Sequence, residues 1–312
     1  MSRMVTLLTL AATGVVVLVA SAQAANFGPW GAAVKIDEIP GNSSELNTGS
    51  LDGCPIQSPS GLSLFIASNR PGGKGGLDIW VAQRASTSDP WGAPVNLGEP
   101  VNSAADDFCP TPVHGKGLYF VSRENLPGAC GQGDIYFARL NPARGYSEPE
   151  RLVCAPNGPN TIYDEQGPSL VTVGGREFLF FSTSSAAPAV PGDIYMSERI
   201  GGVFGPSVAV GSLNDATAND IQPNVRGDGR EVVFSSNRAN GFGAQDIWSS
   251  TRASVNAPWS APMNLGSAVN TAASETRPSL SWVGEQLLFG RNPGPEGSND
   301  IYVATRGPAF PK

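Results

Sequence analysis

The sequence predicts an all-β fold, a five-bladed β-propeller of four-stranded blades closed by the N-terminal strand completing the last blade. Three observations carry this reading. The tripeptide Asp-Ile-aromatic recurs five times, at Asp78-Ile79-Trp80, Asp134-Ile135-Tyr136, Asp193-Ile194-Tyr195, Asp246-Ile247-Trp248 and Asp300-Ile301-Tyr302. A proline precedes each copy by 22 to 25 residues (Pro55, Pro110, Pro168, Pro223, Pro278), and an acid stands three residues before each proline: Asp52, Asp107, Glu165, Asp220 and Glu275. Each copy also divides into four short apolar segments parted by turn residues, the pattern of a propeller blade.

Within a copy, the first strand runs through the proline and a Gly-bearing turn leads to an apolar second strand carrying Phe65, Phe120, Phe181, Phe234 or Phe289. The third strand begins at Asp-Ile-aromatic. The fourth is clearest as WGAPVNLG from Trp91 and WSAPMNLG from Trp259, with looser versions from Tyr146 and Phe204. The fifth copy ends after Arg306 without a fourth strand, and the segment FGPWGAAVKIDEI, residues 27–39, matches the missing piece. Its return to the last blade closes the ring and removes the open sheet edges that invite aggregation. The expected blades are residues 50–102, 105–160, 163–215, 218–270 and 273–306, in one domain from 25 to 312.

Arg3, the apolar run Val5 to Ala20 and Ala22-Gln23-Ala24 have the layout of a cleavable secretory signal over residues 1–24. A periplasmic or secreted protein is therefore expected, with no transmembrane segment after cleavage. The net charge of −7 argues against nucleic acid as a partner. The 38 glycines and 27 prolines fall at periodic places, so they mark turns rather than disorder. The cysteines Cys54, Cys109, Cys130 and Cys154 are even in number and lack any CxxC pair, which favours disulfides over zinc. Blade order favours Cys54–Cys109 between blades and Cys130–Cys154 within blade two.

The segments SPSGLSLFIASNRPGGKGGLDIW (58–80) and RGDGREVVFSSNRANGFGAQDIW (226–248) resemble the WD40-like repeats of TolB and of envelope proteins that carry such propellers. That resemblance implies a propeller but no particular activity, since the fold hosts scaffolds, lectins and enzymes alike. The chain shows neither the extra α/β domain of TolB nor an OmpA-type domain, so their roles do not transfer.

The repeated charges have a structural and a functional reading. In the structural one, Arg70 faces Asp78 across a hairpin, and likewise Arg123 faces Asp134, Arg238 Asp246 and Arg291 Asp300, while Thr183 stands where blade three lacks its arginine. In the functional one, Asp52, Asp107, Glu165, Asp220 and Glu275 face the axial opening as a ring that takes a cation such as Ca²⁺ or sugar hydroxyls. No other cofactor is expected. Trp282 has no aromatic counterpart in the other copies; core packing is its structural reading, and its functional reading is a glycan platform on the axial face with the acids.

His114, the single histidine, falls in a turn, away from any nucleophile, which excludes histidine-based hydrolysis. The expected role is a monomeric interaction module that binds a protein or glycan partner at the cell envelope. The alternative is a carboxylate-based glycoside hydrolase on the propeller axis. Its acids should break the repeat; the candidates are Asp106 beside Asp107, the run Tyr163-Asp164-Glu165, and Asp215, for all of which turn and solvent-facing roles are the structural reading.

Overall fold

The computed structural model describes residues 27–186 and 189–309; the expected signal segment lies outside them. Five antiparallel sheets succeed one another around an axis. Blade one comprises Asp52–Gln57, Ser63–Ser68, Asp78–Gln83 and Val95–Asn96. Blade two comprises Asp107–Val113, Gly117–Ser122, Asp134–Asn141 and Glu150–Arg151, and blade three Asp164–Val173, Arg176–Ala186, Ala189–Ile200 and Val208–Ala209. Blade four comprises Asp220–Val225, Glu231–Ser236, Asp246–Thr251 and Met263–Asn264. In blade five, Ser274–Leu280, Gln286–Asn292 and Asp300–Thr305 are joined by Val34–Lys35 from the other end of the chain.

That last pairing sets Val34 opposite Val303 and Lys35 opposite Tyr302, so the N-terminal strand closes the ring. The offset is the one inside the complete blades: the strand begins four residues after Trp30, as Val95 does after Trp91 and Met263 after Trp259. An arginine covers each of these indoles, Arg84 over Trp91 at 4.1 Å, Arg252 over Trp259 at 4.1 Å and Arg306 over Trp30 at 4.2 Å.

The apolar core lies between blades rather than within them. Leu64, Ile66 and Trp80 of blade one pack with Leu288, Ile301 and Val303 of blade five, and Val121 and Ile135 of blade two with Leu179 and Phe181 of blade three. An asparagine staples each junction. Asn102 accepts from the Ile79 N–H and donates to the Ile79 carbonyl, both at 2.9 Å, and Asn160 serves Ile135, Asn214 Ile194 and Asn270 Ile247 in the same way. Asn47 does this for Ile301 across the closure. These asparagines stand five or six residues before each repeated acid, so they form a further repeat in the sequence.

Every innermost strand carries a bulge at its proline, and the residue before that proline has a positive φ: Cys54 47°, Cys109 48°, Gly167 57°, Gln222 55° and Arg277 57°. These five residues turn in to line the axis together with the prolines. Cys54 and Cys109 are joined there by a disulfide between blades one and two, and Cys130–Cys154 ties blade two, as the spacing suggested. The remaining axial cavity is about 30 Å³, room for little more than a water molecule.

Candidate active site

The repeated acids do not face the opening as a ring. Asp52, Glu165, Asp220 and Glu275 are 0% exposed and Asp107 is 1% exposed, each buried beneath the loop that enters its strand. Backbone amides four or five residues upstream donate to them: Thr48 to Asp52 at 2.7 Å, Ser103 to Asp107 at 2.6 Å, Thr161 to Glu165 at 3.0 Å, Asp215 to Asp220 at 2.6 Å and Thr271 to Glu275 at 3.0 Å. Among the described residues no cluster of three or more acids, histidines or cysteines is placed to hold a metal ion. The acids act as loop anchors, and the expectation of a cation or sugar ring built from them is corrected accordingly.

The arginine pairing is also corrected. Arg70 pairs with Asp52 at 2.5 Å, Arg238 with Asp220, and Arg291 with Glu275 at 2.7 Å, so three arginines reach the innermost acid rather than the aspartate of their own hairpin. The hairpin aspartates cap their loops instead. Asp78 accepts from Gly75 N–H at 3.2 Å and Asn96 at 2.9 Å, Asp134 from Cys130 N–H at 2.8 Å, Asp246 from Gly243 N–H at 3.1 Å and Asp300 from Glu296 N–H at 3.1 Å.

Blades two and three depart from this scheme. Ser122 stands opposite Asp107 as Ser68 stands opposite Asp52, so Glu124, not Arg123, occupies the place of Arg70. Arg123 is one residue early. Because side chains alternate across a strand, that single step aims it away from the buried acid and out to the mouth of the axis. There it donates to Asp106 at 3.0 Å through Nη1, and to Asp164 at 3.2 Å through Nε and 2.7 Å through Nη2. The side chains of Asp106 and Arg123 are 32% and 37% exposed, so solvent reaches them, while that of Asp164 is only 10% exposed.

Asp106 is pinned by the Leu77 N–H at 2.9 Å and Asp164 by Gln166 at 3.0 Å. Gln222 donates to Gln166 at 3.2 Å, and its own carbonyl oxygen accepts from the Arg277 N–H at 3.1 Å, which carries the network across the axis. Among the described residues no carboxylate lies within ion-pair distance of the Arg277 guanidinium. Burial and the nearby Arg123 bring its pKa down to about 10. The mouth thus holds the partly exposed carboxylate of Asp106, the nearly buried carboxylate of Asp164, a guanidinium that bridges them and, among the described residues, a second guanidinium without a carboxylate at ion-pair distance.

Losing the buried arginine has a second consequence. Burial pushes Asp107 up to about 6 and Glu165, which faces Thr183, up to about 8. Oδ1 of Asp107 and Oε2 of Glu165 have no hydrogen-bond partner. Both carboxylates are sealed beneath their loops, whereas Asp106 is partly exposed at the mouth.

Of the other sequence candidates, Asp215 accepts from Thr217 N–H at 2.9 Å and Oγ1 at 2.7 Å in an exposed loop. His114 is exposed in its turn. Trp282 is neither in the core nor on the axial face as expected: it is exposed in the turn after Ser274–Leu280, at the far end of that strand from Glu275, and so on the face opposite the axial mouth. Arg277, Gln166 and Gln222 were not singled out from the sequence; the repeated proline that follows Arg277, with glycine, glutamine or cysteine at the matching places, was the available signal.

The fold defines a five-bladed propeller with a carboxylate-lined mouth. No family model and no curated protein matches the chain. Among solved structures it is similar to the catalytic domain of the Coprinopsis cinerea GH62 alpha-L-arabinofuranosidase, with a TM-score of 0.57 and 13% identity over 92% of this chain and 99% of that one. It is also similar to a thermostable family-43 glycoside hydrolase (TM-score 0.54, 13% identity, 88% and 93% covered) and to the GH43 endo-arabinanase from Bacillus licheniformis (TM-score 0.53, 12% identity, 82% and 94% covered). At this identity the likeness establishes the fold. It does not support the TolB-type family resemblance, and it corrects the expectation of an interaction module, because the propellers that match nearly the whole chain are named as glycoside hydrolases.

Proposed function

We propose that this chain is an exported, carboxylate-dependent glycoside hydrolase whose chemistry takes place at the mouth of the axis. The observation that carries the reading is the convergence of Asp106, just before the innermost strand of blade two, and Asp164, the first residue of that of blade three, on the one guanidinium of Arg123. Glycoside hydrolysis needs two carboxyl groups flanking the scissile bond, one giving a proton to the leaving oxygen and one ionised to activate water or attack the anomeric carbon. Asp164, gripped side-on by two guanidinium donors, is suited to the ionised role. Asp106, the more exposed and held by a single guanidinium bond, is suited to proton donation. Arg277, in the axial lining and with no carboxylate at ion-pair distance among the described residues, is the candidate to bind a substrate hydroxyl, while Gln222 is buried and holds Gln166 and Arg277 in place; Arg123 is the positioning residue that sets both carboxylates.

The structural neighbours are named as an arabinofuranosidase and an endo-arabinanase, which makes pentose-containing glycans the first substrates to offer. The two disulfides, Cys54–Cys109 and Cys130–Cys154, suit an oxidising compartment outside the cytoplasm. The test is release of reducing sugar from arabinan and arabinoxylan, together with cleavage of p-nitrophenyl arabinofuranoside. Asp106→Asn and Asp164→Asn should each slow turnover by roughly 100-fold or more, the usual weight of general acid–base catalysis. Absence of hydrolysis on all three substrates, or activity indifferent to both substitutions, overturns the reading.

A further inference from the structure

On the face opposite the axial mouth, a groove runs along the junction of blades five and one. Its larger compartment, about 350 Å³, is lined by Trp282, Gln286, Glu285, Gln57, Arg84 and the turn at Ser58–Gly61. A second compartment of about 210 Å³ continues past Gln57, Arg84, Thr87 and Gln286 toward Asn42 and Trp91. Neither belongs to the site described above.

Three features of this groove point to a ligand. Trp282 is 51% exposed, whereas Trp80, Trp91, Trp248 and Trp259 are buried. Its indole is nevertheless held in place: a methyl group built on Gly227 of the neighbouring turn would meet the ring at 2.7 Å, so the glycine lets one side of the ring lie against backbone while the ring also lines the cavity. Exposing a fixed indole to water leaves a large apolar surface unburied, and such surfaces mark binding sites.

The second feature is a planar polar wall. Gln57 Nε2 donates to Gln286 Oε1 at 2.7 Å, which orients both amides while leaving each with further donor or acceptor capacity. The third is Arg84, whose Nε donates to the Gly61 carbonyl at 2.7 Å and whose guanidinium is stacked on Trp91, so its outer N–H groups are presented rigidly to the groove. Glu285 and Arg84 offset one another in charge.

A flat aromatic ring beside rigid amide and guanidinium donors is complementary to a pyranose or furanose ring, which offers an apolar C–H face and a rim of hydroxyls. We propose that this groove is a second carbohydrate-binding site, remote from the axial mouth, that holds consecutive neutral sugar residues of a polysaccharide, stacked on Trp282 and hydrogen-bonded by Gln57, Gln286 and Arg84. Its role is to keep the protein on a polymer independently of any chemistry at Asp106 and Asp164.

The test is affinity electrophoresis of the whole protein in gels containing arabinoxylan, arabinan or soluble cellulose, with Trp282→Ala, Gly227→Ala and Asp164→Asn compared. The parent and Asp164→Asn should be retarded equally by at least one polymer, whereas Trp282→Ala should bind about 10-fold more weakly and Gly227→Ala, which displaces the indole, should also weaken. Oligosaccharides of the retarding polymer should change tryptophan fluorescence in the parent and not in Trp282→Ala. Loss of retardation in Asp164→Asn with retention in Trp282→Ala assigns binding to the axial mouth and overturns the proposal. So does a parent retarded by none of the three polymers. Groove binding that survives when no hydrolysis is found anywhere leaves this site standing and removes only the proposed enzymatic activity.

Discussion

Arg123 joins Asp106 of blade two, at 3.0 Å, to Asp164 of blade three, at 2.7 Å. Its counterparts Arg70, Arg238 and Arg291 each neutralise a carboxylate that no solvent reaches. The same residue type therefore does two jobs, separated by one position in the strand.

This difference predicts opposite phenotypes. Arg70→Ala strands the buried Asp52 carboxylate and should destabilise the fold by about 3–5 kcal/mol, read as a lowered urea midpoint. Arg123→Ala acts at a site more than a third exposed and should cost about 1 kcal/mol or less. Its effect should fall on activity, with kcat/KM lowered at least 10-fold and the pH profile altered, because Asp106 and Asp164 lose their common anchor. An Arg123→Ala protein as unstable as Arg70→Ala would contradict this division.

Stability should fall as pH rises from about 4.5 through about 8. Glu165 and Asp107, with pKa values pushed up to about 8 and about 6, stay protonated in the folded chain after the unfolded chain has released those protons. The folded state then binds more protons than the unfolded state, and the free energy of unfolding declines with pH across that window. The combined effect is of the order of a few kcal/mol. Urea titrations at pH 5 and pH 8 check it, and Glu165→Gln, neutral throughout, should remove most of the slope. A flat profile in the parent contradicts the assignment.

Besides the pairing of Val34–Lys35, ring closure includes one asparagine staple far from its partner in sequence. Asn47→Ala removes the pair of bonds to Ile301 and leaves a buried N–H and C=O unsatisfied. The expected loss is about 2–4 kcal/mol. Hydrogen exchange should speed up first in the strands Val34–Lys35 and Asp300–Thr305, where the same change at Asn102 would loosen blades one and two.

The disulfide Cys54–Cys109 closes a loop of 55 residues at the axis. Replacing both cysteines by alanine should lower stability by about 3–4 kcal/mol through the entropy returned to the unfolded chain. Thermal unfolding with and without the bridge measures this. Loss of the partly exposed Cys130–Cys154 bridge, which spans 24 residues, should cost less.

The architecture was legible because a propeller repeats its chemistry. Proline at each axial bulge, Asp-Ile-aromatic at each third strand and an aromatic residue four positions before each fourth strand are local requirements that recur with the blade. Trp30 followed by Val34–Lys35 revealed even the closure, since the segment obeys the rule of the blade it completes. Asp106 and Asp164 were visible as departures from the repeat, but their convergence was not. The pairing of Arg123 depends on strand parity, and a one-residue offset in the loop after Ser122 moves a guanidinium from one face of a strand to the other without changing the motif around it.

The sequence by itself determined the number of blades, their four strands and the closing strand, because each follows from short-range periodicity and from the order in which blades must stack; of the three disulfide pairings it favoured one, and the fold decided it. Tertiary structure alone decided that the repeated acids are sealed anchors, that Asp106 and Asp164 share one arginine, and that Trp282 faces a groove on the opposite side. Those relations hold between different blades. They are set by register and by how the sheets turn about the axis, quantities that no local pattern along the chain encodes.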